Sequence, residues 1–345
     1  MTFPLPTIPA EPDATAPSVL ISVLNWNSAA VTLNCIASVI ALRCQPLRRV
    51  DILVIDNGSS HADFTVLSAG LDQGAVTLLR QDRNLGFAGG HNLAMQIAID
   101  EGYDFIWLVN SDSLVEPDCL EQLLAIMAED PVCGAVSPVI VAMDDCSVLD
   151  FCGAMHDWPR LESRRAGSIE EGQRWESEQP AAMWISGAVA LFRVQALRQI
   201  GLLDAALFAY YEDNDIGARL SEAKWLSRVA FDARARHQRF ASDIHHRPPY
   251  FFYLMARNGI RFWLKHAPAP YRRWIRARLV DRAMFEANIL TSKSQLEKAR
   301  ACMLGIFDGL RGTGGPPVLD RKVPRHIRAL RRMLLLQHAK HLASK

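Results

Sequence analysis

The strongest constraint on this chain is a rhythm. Over its first 140 residues, short β-branched runs alternate with amphipathic helical patterns. Val19–Leu24 reads as a buried strand and Ala29–Leu42 as a helix. Val50–Ile55 is a second strand, followed by Asp56-Asn57-Gly58-Ser59 and a capping box, Ser60 to Asp63, that opens a second helix. Ala75–Arg80 and Asp104–Val109 read as further strands, with a helix over His91–Glu101 between them. Beyond Pro117, Leu120, Leu123, Leu124 and Met127 fall at i, i+3, i+4 and i+7. Such alternation predicts an α/β fold: a mostly parallel, Rossmann-like sheet flanked by helices. Ligands of such sheets bind beyond the carboxyl ends of the strands. The residues that matter are therefore those just after each strand.

Those segments are Asn25-Trp26-Asn27, Asp56-Asn57-Gly58-Ser59, Arg83 to Gly90, and Asn110-Ser111-Asp112-Ser113. All are polar or glycine-rich. A nicotinamide site would need G-x-G-x-x-G directly after the first strand, and Asn-Trp-Asn stands there instead. Asp56 at a strand end suits a pyrimidine imide or a ribose hydroxyl, or an ordinary Asx turn. The Gly86–Gly90 loop ahead of a helix offers free amides to an anion, or simply a flexible turn. Asp112, two residues after Asn110, points the same way along an extended chain, where oxygen ligands hold hard cations. Further on, Tyr210-Tyr211-Glu212-Asp213-Asn214-Asp215 opens a helix. Helical spacing puts Asp213 on the border of the inward face and pairs Asp215 with Arg219 on the outer one, with Glu212 as runner-up to Asp213. His237 lies in a basic stretch with a surface role as its alternative.

The 38 Lys and Arg nearly balance 37 Asp and Glu, but unevenly. Residues 1–244 carry a balance of −15 and residues 245–345 one of +16. The basic third should face something anionic, lipid or nucleic acid, unless it folds onto the acidic body. Half the residues are apolar, enough for a core, yet no stretch reaches the ~18 residues of a membrane span. Seven cysteines, none spaced C-x-x-C, point to reduced thiols in the cytosol. Residues 1–17 are proline-rich and read as a loose tail, 18–244 as the α/β domain, and 245–345 as a basic helical extension.

Together the segments Leu24-Asn25-Trp26-Asn27, Ile55 to Ser59, Asn84 to Asn92, Leu108 to Ser113, Ser186-Gly187-Ala188, Tyr211 to Asp215 and His237 resemble glycosyltransferase family 2, and within it the rhamnosyltransferase-like bacterial members. Ala256-Arg257-Asn258 and Arg261-Phe262 look like the family's next segment. The resemblance implies a GT-A fold and an inverting, metal-dependent transfer of a sugar from a nucleoside-diphosphate donor of dTDP or UDP type. It casts Asn25, Asp56, Arg83, Asn84, Gly86, Gly90 and Ser111 as nucleotide contacts, and Trp184 and Gly187 as lining the sugar cleft. Asp112 and His237 become ligands of Mg²⁺ or Mn²⁺, with Asn110 in place of the motif's first carboxylate, and Asp213 the general base. The acceptor would be a saccharide or a lipid-linked saccharide in surface-polysaccharide synthesis. The extension would dock peripherally on the anionic cytosolic leaflet, with no nucleic-acid partner. Two competing readings are a catalytically silent sugar-nucleotide or membrane-surface binding module and a nucleotidyltransferase. Asp213 on an inward face argues against the first, and the missing basic phosphate loop against the second.

Overall fold

The structure is a computed structural model that describes residues 16–44, 47–72, 74–238 and 246–342. Residues 1–15 of the proline-rich tail lie outside it. The first four long apolar runs become β1 (Ser18–Asn25), β2 (Arg49–Asp56), β3 (Thr77–Arg80) and β4 (Phe105–Asn110), all parallel and ordered β3-β2-β1-β4. Helices α1 (Ala29–Ile40), α2 (His61–Gly70) and α3 (Gly86–Asp100) cross over between them. Ser60 caps α2 as its sequence demands, its Oγ accepting from the Asp63 amide at 3.3 Å. The register is level at the carboxyl ends. Asn25 lies beside Asp56, Asp56 beside Arg80, and Leu24 beside Asn110.

The second half continues the same sheet. Chain order runs β5 (Ser113–Val115), α4 (Cys119–Glu129), β6 (Cys133–Ala142), β7 (Leu149–Phe151), β8 (Ala154–Asp157), β9 (Glu162–Arg165), α5 (Ile169–Glu178), β10 (Met183–Trp184), β11 (Val189–Arg193), α6 (Val194–Ile200), α7 (Glu212–Glu222) and β12 (Leu226–His237). β11 inserts antiparallel between β4 and β6, β12 lies parallel to β6, and β5 closes the edge against β12. With β7 on β6, six of the nine strands share one direction. β10, β8 and β9 form a small separate sheet. The large sheet's core is dominated by β-branched, leucine and aromatic side chains such as Ile21, Val54, Trp107 and Phe192.

Four helices follow: α8 (Pro249–His266), α9 (Arg272–Ser292), α10 (Leu296–Arg311) and α11 (Arg325–Leu342). They build a second apolar cluster that also takes in Leu161, Ala218 and the Phe208–Tyr211 segment of the α/β body. Phe251, Phe252, Tyr253, Phe262 and Trp263 are buried in it. The extension expected to dock on a leaflet thus keeps these five rings in its core. An aromatic residue on every side of α8 reflects a helix enclosed by neighbours, not a one-sided amphipath. Tyr271 and Trp274, just beyond α8, are exposed, Trp274 at 64%.

Candidate active site

The level strand ends of β1, β2 and β3 create the first part of the site. Asn25 is wholly buried. Its Nδ2 donates to Asp56 Oδ1 (3.0 Å), Ser59 Oγ (3.1 Å) and Asp63 Oδ2 (3.0 Å), while its Oδ1 accepts from Thr32 (2.7 Å) and Ser28 (3.2 Å). With every polar atom engaged inside the protein, Asn25 braces Asp56 and has nothing left for a ligand, which corrects the expectation that it touches one. Asp56 is different. Its Oδ2 is buried with no hydrogen bond, and Arg80 Nε stands 3.7 Å away. The Arg80 guanidinium itself lies 3.9 Å over the Phe64 ring. An unmet carboxylate acceptor costs about 1–3 kcal/mol or more, a cost that a ligand N–H or O–H would relieve.

The glycine-rich segment is not the loop that its sequence suggests. It forms the first turn of α3, which starts at Gly86, five residues earlier than the apolar pattern. Asn57 and Asn84 make that early start possible. Asn57 Oδ1 accepts from the Leu85 amide (2.9 Å), Asn84 Oδ1 from the Gly86 amide (2.7 Å), and Phe208 O from the Ala88 amide (3.2 Å). These three donors are therefore not free for an anion. Gly86 holds φ of 76°, and a β-carbon there would collide with the Phe208 carbonyl at 2.3 Å. At Gly90 a β-carbon would strike Leu24 at 2.5 Å, so its role is close helix-strand packing. Arg83 is exposed and carries no ion pair or hydrogen bond of its side chain among the described residues. Sequence reasoning does not single out Asn57, although it stands in a turn that the strand rhythm marks.

The second part forms where β12 runs beside β5. That register sets His237 opposite Ser113, and the Gln238 amide donates to the Asp112 carbonyl at 3.0 Å. His237 Nε2 lies 3.3 Å from Asp112 Oδ1 and 3.5 Å from Asn110 Nδ2. Its Nδ1 lies 3.1 Å from Asp150 Oδ2, on β7. Burial opposes charge on this imidazole, but Asp112 and Asp150 outweigh it and raise its pKa to about 9. Ser111 sits half-exposed in the turn beside them. Asp150 joins the cluster through the β6–β7 hairpin, a contact that no local pattern announces.

The third part is the start of α7. Phe208, Tyr210 and Tyr211 all have φ near +70°, at 67°, 67° and 74°. Bulky residues hold such backbone at about 1–3 kcal/mol each, and only where the surroundings enforce it. Asp213 then emerges half-buried, its Oδ1 accepting from the Asn214 amide and side chain at 2.8 Å each. Its Oδ2 makes no hydrogen bond among the described residues. A β-carbon on Gly187 would sit 3.4 Å from the Phe87 ring and 3.6 Å from Asp213 Cβ, so the Ser186–Gly187 turn packs on both. The next residue ties this turn to the end of β4, Ala188 O accepting from the Asn110 amide at 2.8 Å. Glu212 is nearly buried. Burial first, then the charge of Asp213, push its carboxyl up to about 8, and its Oε2 has no partner.

Two expectations fail here. Asp215 does pair with Arg219 (2.8 Å), but it is 1% exposed and faces inward, onto Lys265 (2.7 Å) and His266 (2.8 Å) of α8. Burial would raise its pKa, yet His266, Arg219 and Lys265 together hold it well below the usual carboxylate range. Trp184 does not line a cleft. It is 2% exposed, stacked on His156 at 5.6 Å, in the layer that backs α7. A cleft of about 400 Å³ lies at the strand ends instead, walled by Trp26, Asn57, Asn84, Phe87, Tyr210 and Tyr250, among others.

A parallel sheet half with polar strand ends, completed by a mixed half carrying His and acid groups, defines the class: the GT-A fold. Solved structures agree. The mannosyltransferase PcManGT of Pyrobaculum calidifontis matches 96% of this chain and 84% of its own at TM-score 0.54 and 16% identity. TarS of S. aureus (residues 1–349) matches 94% and 88% at TM-score 0.55 and 16% identity. In sequence, residues 16–258 match the model of the glycosyltransferase like family 2. The chain belongs to that family. It is 30% identical over 292 residues to the N-acetylglucosaminyl-diphospho-decaprenol L-rhamnosyltransferase of Mycobacterium tuberculosis, covering 76% of this chain and 90% of that one. The dTDP-rhamnosyl transferase RfbF of Shigella flexneri is 22% identical, with 76% and 88% covered. The protein is thus a glycosyltransferase.

Proposed function

We propose that the chain is an inverting glycosyltransferase that moves a sugar, rhamnose first among candidates, from a dTDP or UDP donor to a saccharide or lipid-linked acceptor of surface-polysaccharide synthesis. The observation that carries this reading is Asp213. Its carboxylate has one oxygen fixed by Asn214 and the other uncommitted, and it sits beside Gly187 and Phe87 at the edge of the sheet that bears Asp112. An acceptor hydroxyl is a weak nucleophile until a carboxylate takes its proton, an effect of about 10²–10⁴ in rate. Glu212, with its pKa near 8, keeps its own proton at neutral pH, so the two acids divide into a base and a neutral neighbour. No side chain here needs to form a covalent intermediate, so one displacement inverts the anomeric centre.

The donor half follows from Asp56, whose unmet Oδ2 suits the N3–H of a thymine or uracil ring. Exposed Arg83 supplies charge for the diphosphate. Among the described residues, no three His, Cys, Asp or Glu side chains are gathered for an ion. The donor set nevertheless fits a divalent cation shared with a substrate. Asp112 offers a hard oxygen, and His237 Nε2 would offer a nitrogen once a bound cation displaced its proton, while Asp150 orients the ring from Nδ1 as second partners of metal-bound histidines do. Mg²⁺ or Mn²⁺ held there would act as a Lewis acid for the departing diphosphate. Relatives support this reading: two are rhamnosyltransferases, and PcManGT, alike in fold, was solved with GDP-Man and Mn²⁺.

A lipid-linked acceptor would bring the enzyme to a membrane surface. No helix among the described residues is long and apolar enough to cross one. Exposed Tyr271 and Trp274, the neighbouring Arg276, and Arg328, Arg332, Met333 and Leu335 of α11 supply an interfacial set of aromatics, cations and apolar tips for the anionic cytosolic leaflet. Assaying purified protein with Mn²⁺ against a panel of sugar nucleotides, by release of the nucleoside diphosphate, tests the central reading. Acceptor-dependent release from a dTDP or UDP sugar is expected; binding without turnover across the panel and acceptors would instead favour the silent binding module.

A further inference from the structure

The left-handed stretch that leads into α7 is enforced from far along the chain. Two side chains of α8, Arg257 and Asn258, have no solvent exposure at all. Asn258 Nδ2 donates to the carbonyls of Leu207 (2.9 Å), Ala209 (2.8 Å) and Tyr210 (2.8 Å). Only the amide's NH₂ end can face three carbonyl oxygens. Arg257 fixes that orientation, its Nε donating to Asn258 Oδ1 at 2.8 Å. Its Nη2 binds the same connector, donating to Leu207 O (2.8 Å) and Ala206 O (3.3 Å), while Nη1 donates to Gly315 O (2.5 Å) between α10 and α11.

Packing alone does not require this arrangement. A helix as enclosed as α8 would pack as well with apolar side chains at both positions, without desolvating a guanidinium and an amide. A connector with φ of 67° at Phe208, 67° at Tyr210 and 74° at Tyr211, however, leaves the Ala209 and Tyr210 carbonyls without a backbone donor among the described residues. Asn258 supplies it to both, and Arg257 adds a side-chain donor to the Leu207 and Ala206 carbonyls. The connector they hold has two further attachments. Phe208 O accepts from Ala88 in the first turn of α3, and Tyr211 is the residue from which α7, with Asp213, departs.

We infer that Asn258, oriented by Arg257, is a positioning residue for the transfer reaction: it fixes the left-handed connector and so sets where the Asp213 carboxylate stands. The inference rests on the reading of Asp213 as the base. Displacing a reacting group by about 1 Å costs on the order of 10² in rate, and this clamp acts on the backbone just ahead of it.

The experiment compares Asn258→Asp, Asp213→Asn and the double variant in the full chain. Asn258→Asp is isosteric but turns a donor into a third set of acceptors facing the carbonyls. Its kcat should fall about 10²-fold in folded protein, while the affinity for dTDP or UDP with Mn²⁺ stays within about threefold. The double variant should turn over no more slowly than Asp213→Asn alone, because both changes remove the same group's contribution. If Asn258→Asp yields too little folded protein, Asn258→Ser, which keeps one donor, takes its place with a smaller expected loss. Wild-type kcat per folded molecule in Asn258→Asp or Asn258→Ser, whatever the change in melting temperature, overturns the positioning role and leaves Asp213 as base. An additive double variant also overturns it, since Asn258 would then act through another group. Near-wild-type turnover in Asp213→Asn refutes the base assignment itself and this inference with it.

Discussion

Replacing Glu212 with Gln should change how stability depends on pH more than it changes stability itself. The carboxyl of Glu212 is pushed up to about 8 by burial and by Asp213, from an ordinary value of 4.5. Between those values the folded protein holds a proton that the unfolded chain releases. The stability tied to that proton is fully present below about 4.5 and is lost as pH rises through about 8. Each tenfold difference in proton affinity corresponds to ~1.4 kcal/mol. With Asp213 able to share the proton and the loop able to adjust, the loss across the window is on the order of 2–4 kcal/mol. The glutamine side chain is a neutral isostere and carries no such loss. Urea unfolding at pH 5, 7 and 9 should give nearly equal stabilities at pH 5, and Glu212→Gln should be the more stable protein at pH 9. Parallel curves for the two proteins would show that Glu212 ionises normally, and the division of the acids into base and neutral neighbour would fall with it.

Turnover provides the companion measurement: Asp213→Asn should lose about 10²-fold or more in kcat with donor affinity retained, and Glu212→Gln should keep most of it. Wild-type rates in the first with loss in the second would exchange the two roles. For the metal, His237→Ala should raise the Mn²⁺ concentration at half-maximal rate and Asp150→Asn should do so more weakly; activity surviving exhaustive chelation would remove the ion from the scheme. At the membrane, flotation with phosphatidylserine vesicles at low salt should drop for Trp274→Ala and for Arg328→Glu with Arg332→Glu, with about 1 kcal/mol expected for each cation removed. Equal flotation of all variants would assign those residues to solvent. In the fold, Gly86→Ala should lower the melting temperature by several degrees because of its left-handed φ and the Phe208 carbonyl behind it, and an unchanged midpoint would mean that α3 can start later without penalty.

The parallel half of the sheet is legible almost residue by residue, since buried strands and capped helices declare themselves locally. Val50–Ile55 lies within the observed Arg49–Asp56, and the Ser60 capping box forms as its residues require. The glycine segment misleads because asparagine side chains from two different turns, Asn57 and Asn84, satisfy the amides that would otherwise mark a loop. The burial of Asp215 and of the α8 aromatics escapes the sequence for a shared reason. Periodicity identifies an apolar stripe but not a partner that covers the opposite face, and α8 covers α7 while α10 covers α8. Counting cations in the basic third also hides that Arg257 is engaged by carbonyls rather than by lipid. Of the candidate site, the strand-end residues are found by their position in the rhythm. Asp150 is not, because it reaches His237 only through a hairpin.

The dependence of the Leu207–Tyr210 carbonyls on Asn258 has a consequence for how the protein comes into being. During synthesis the strands β1 to β4 can pair, and the nucleotide rim can form, as soon as they clear the ribosome. The acid of α7 is made later but has no fixed place until α8 has followed it. With Asp213 read as the base, a nascent chain acquires the strand ends of β1 to β4 before that base is set. At roughly 5–20 residues per second, that interval lasts seconds. For that time, the apolar surfaces of Tyr210 and Tyr211 await the rings of Phe251 and Phe262. On that reading, α8 is the element that turns a folded sheet into a working site.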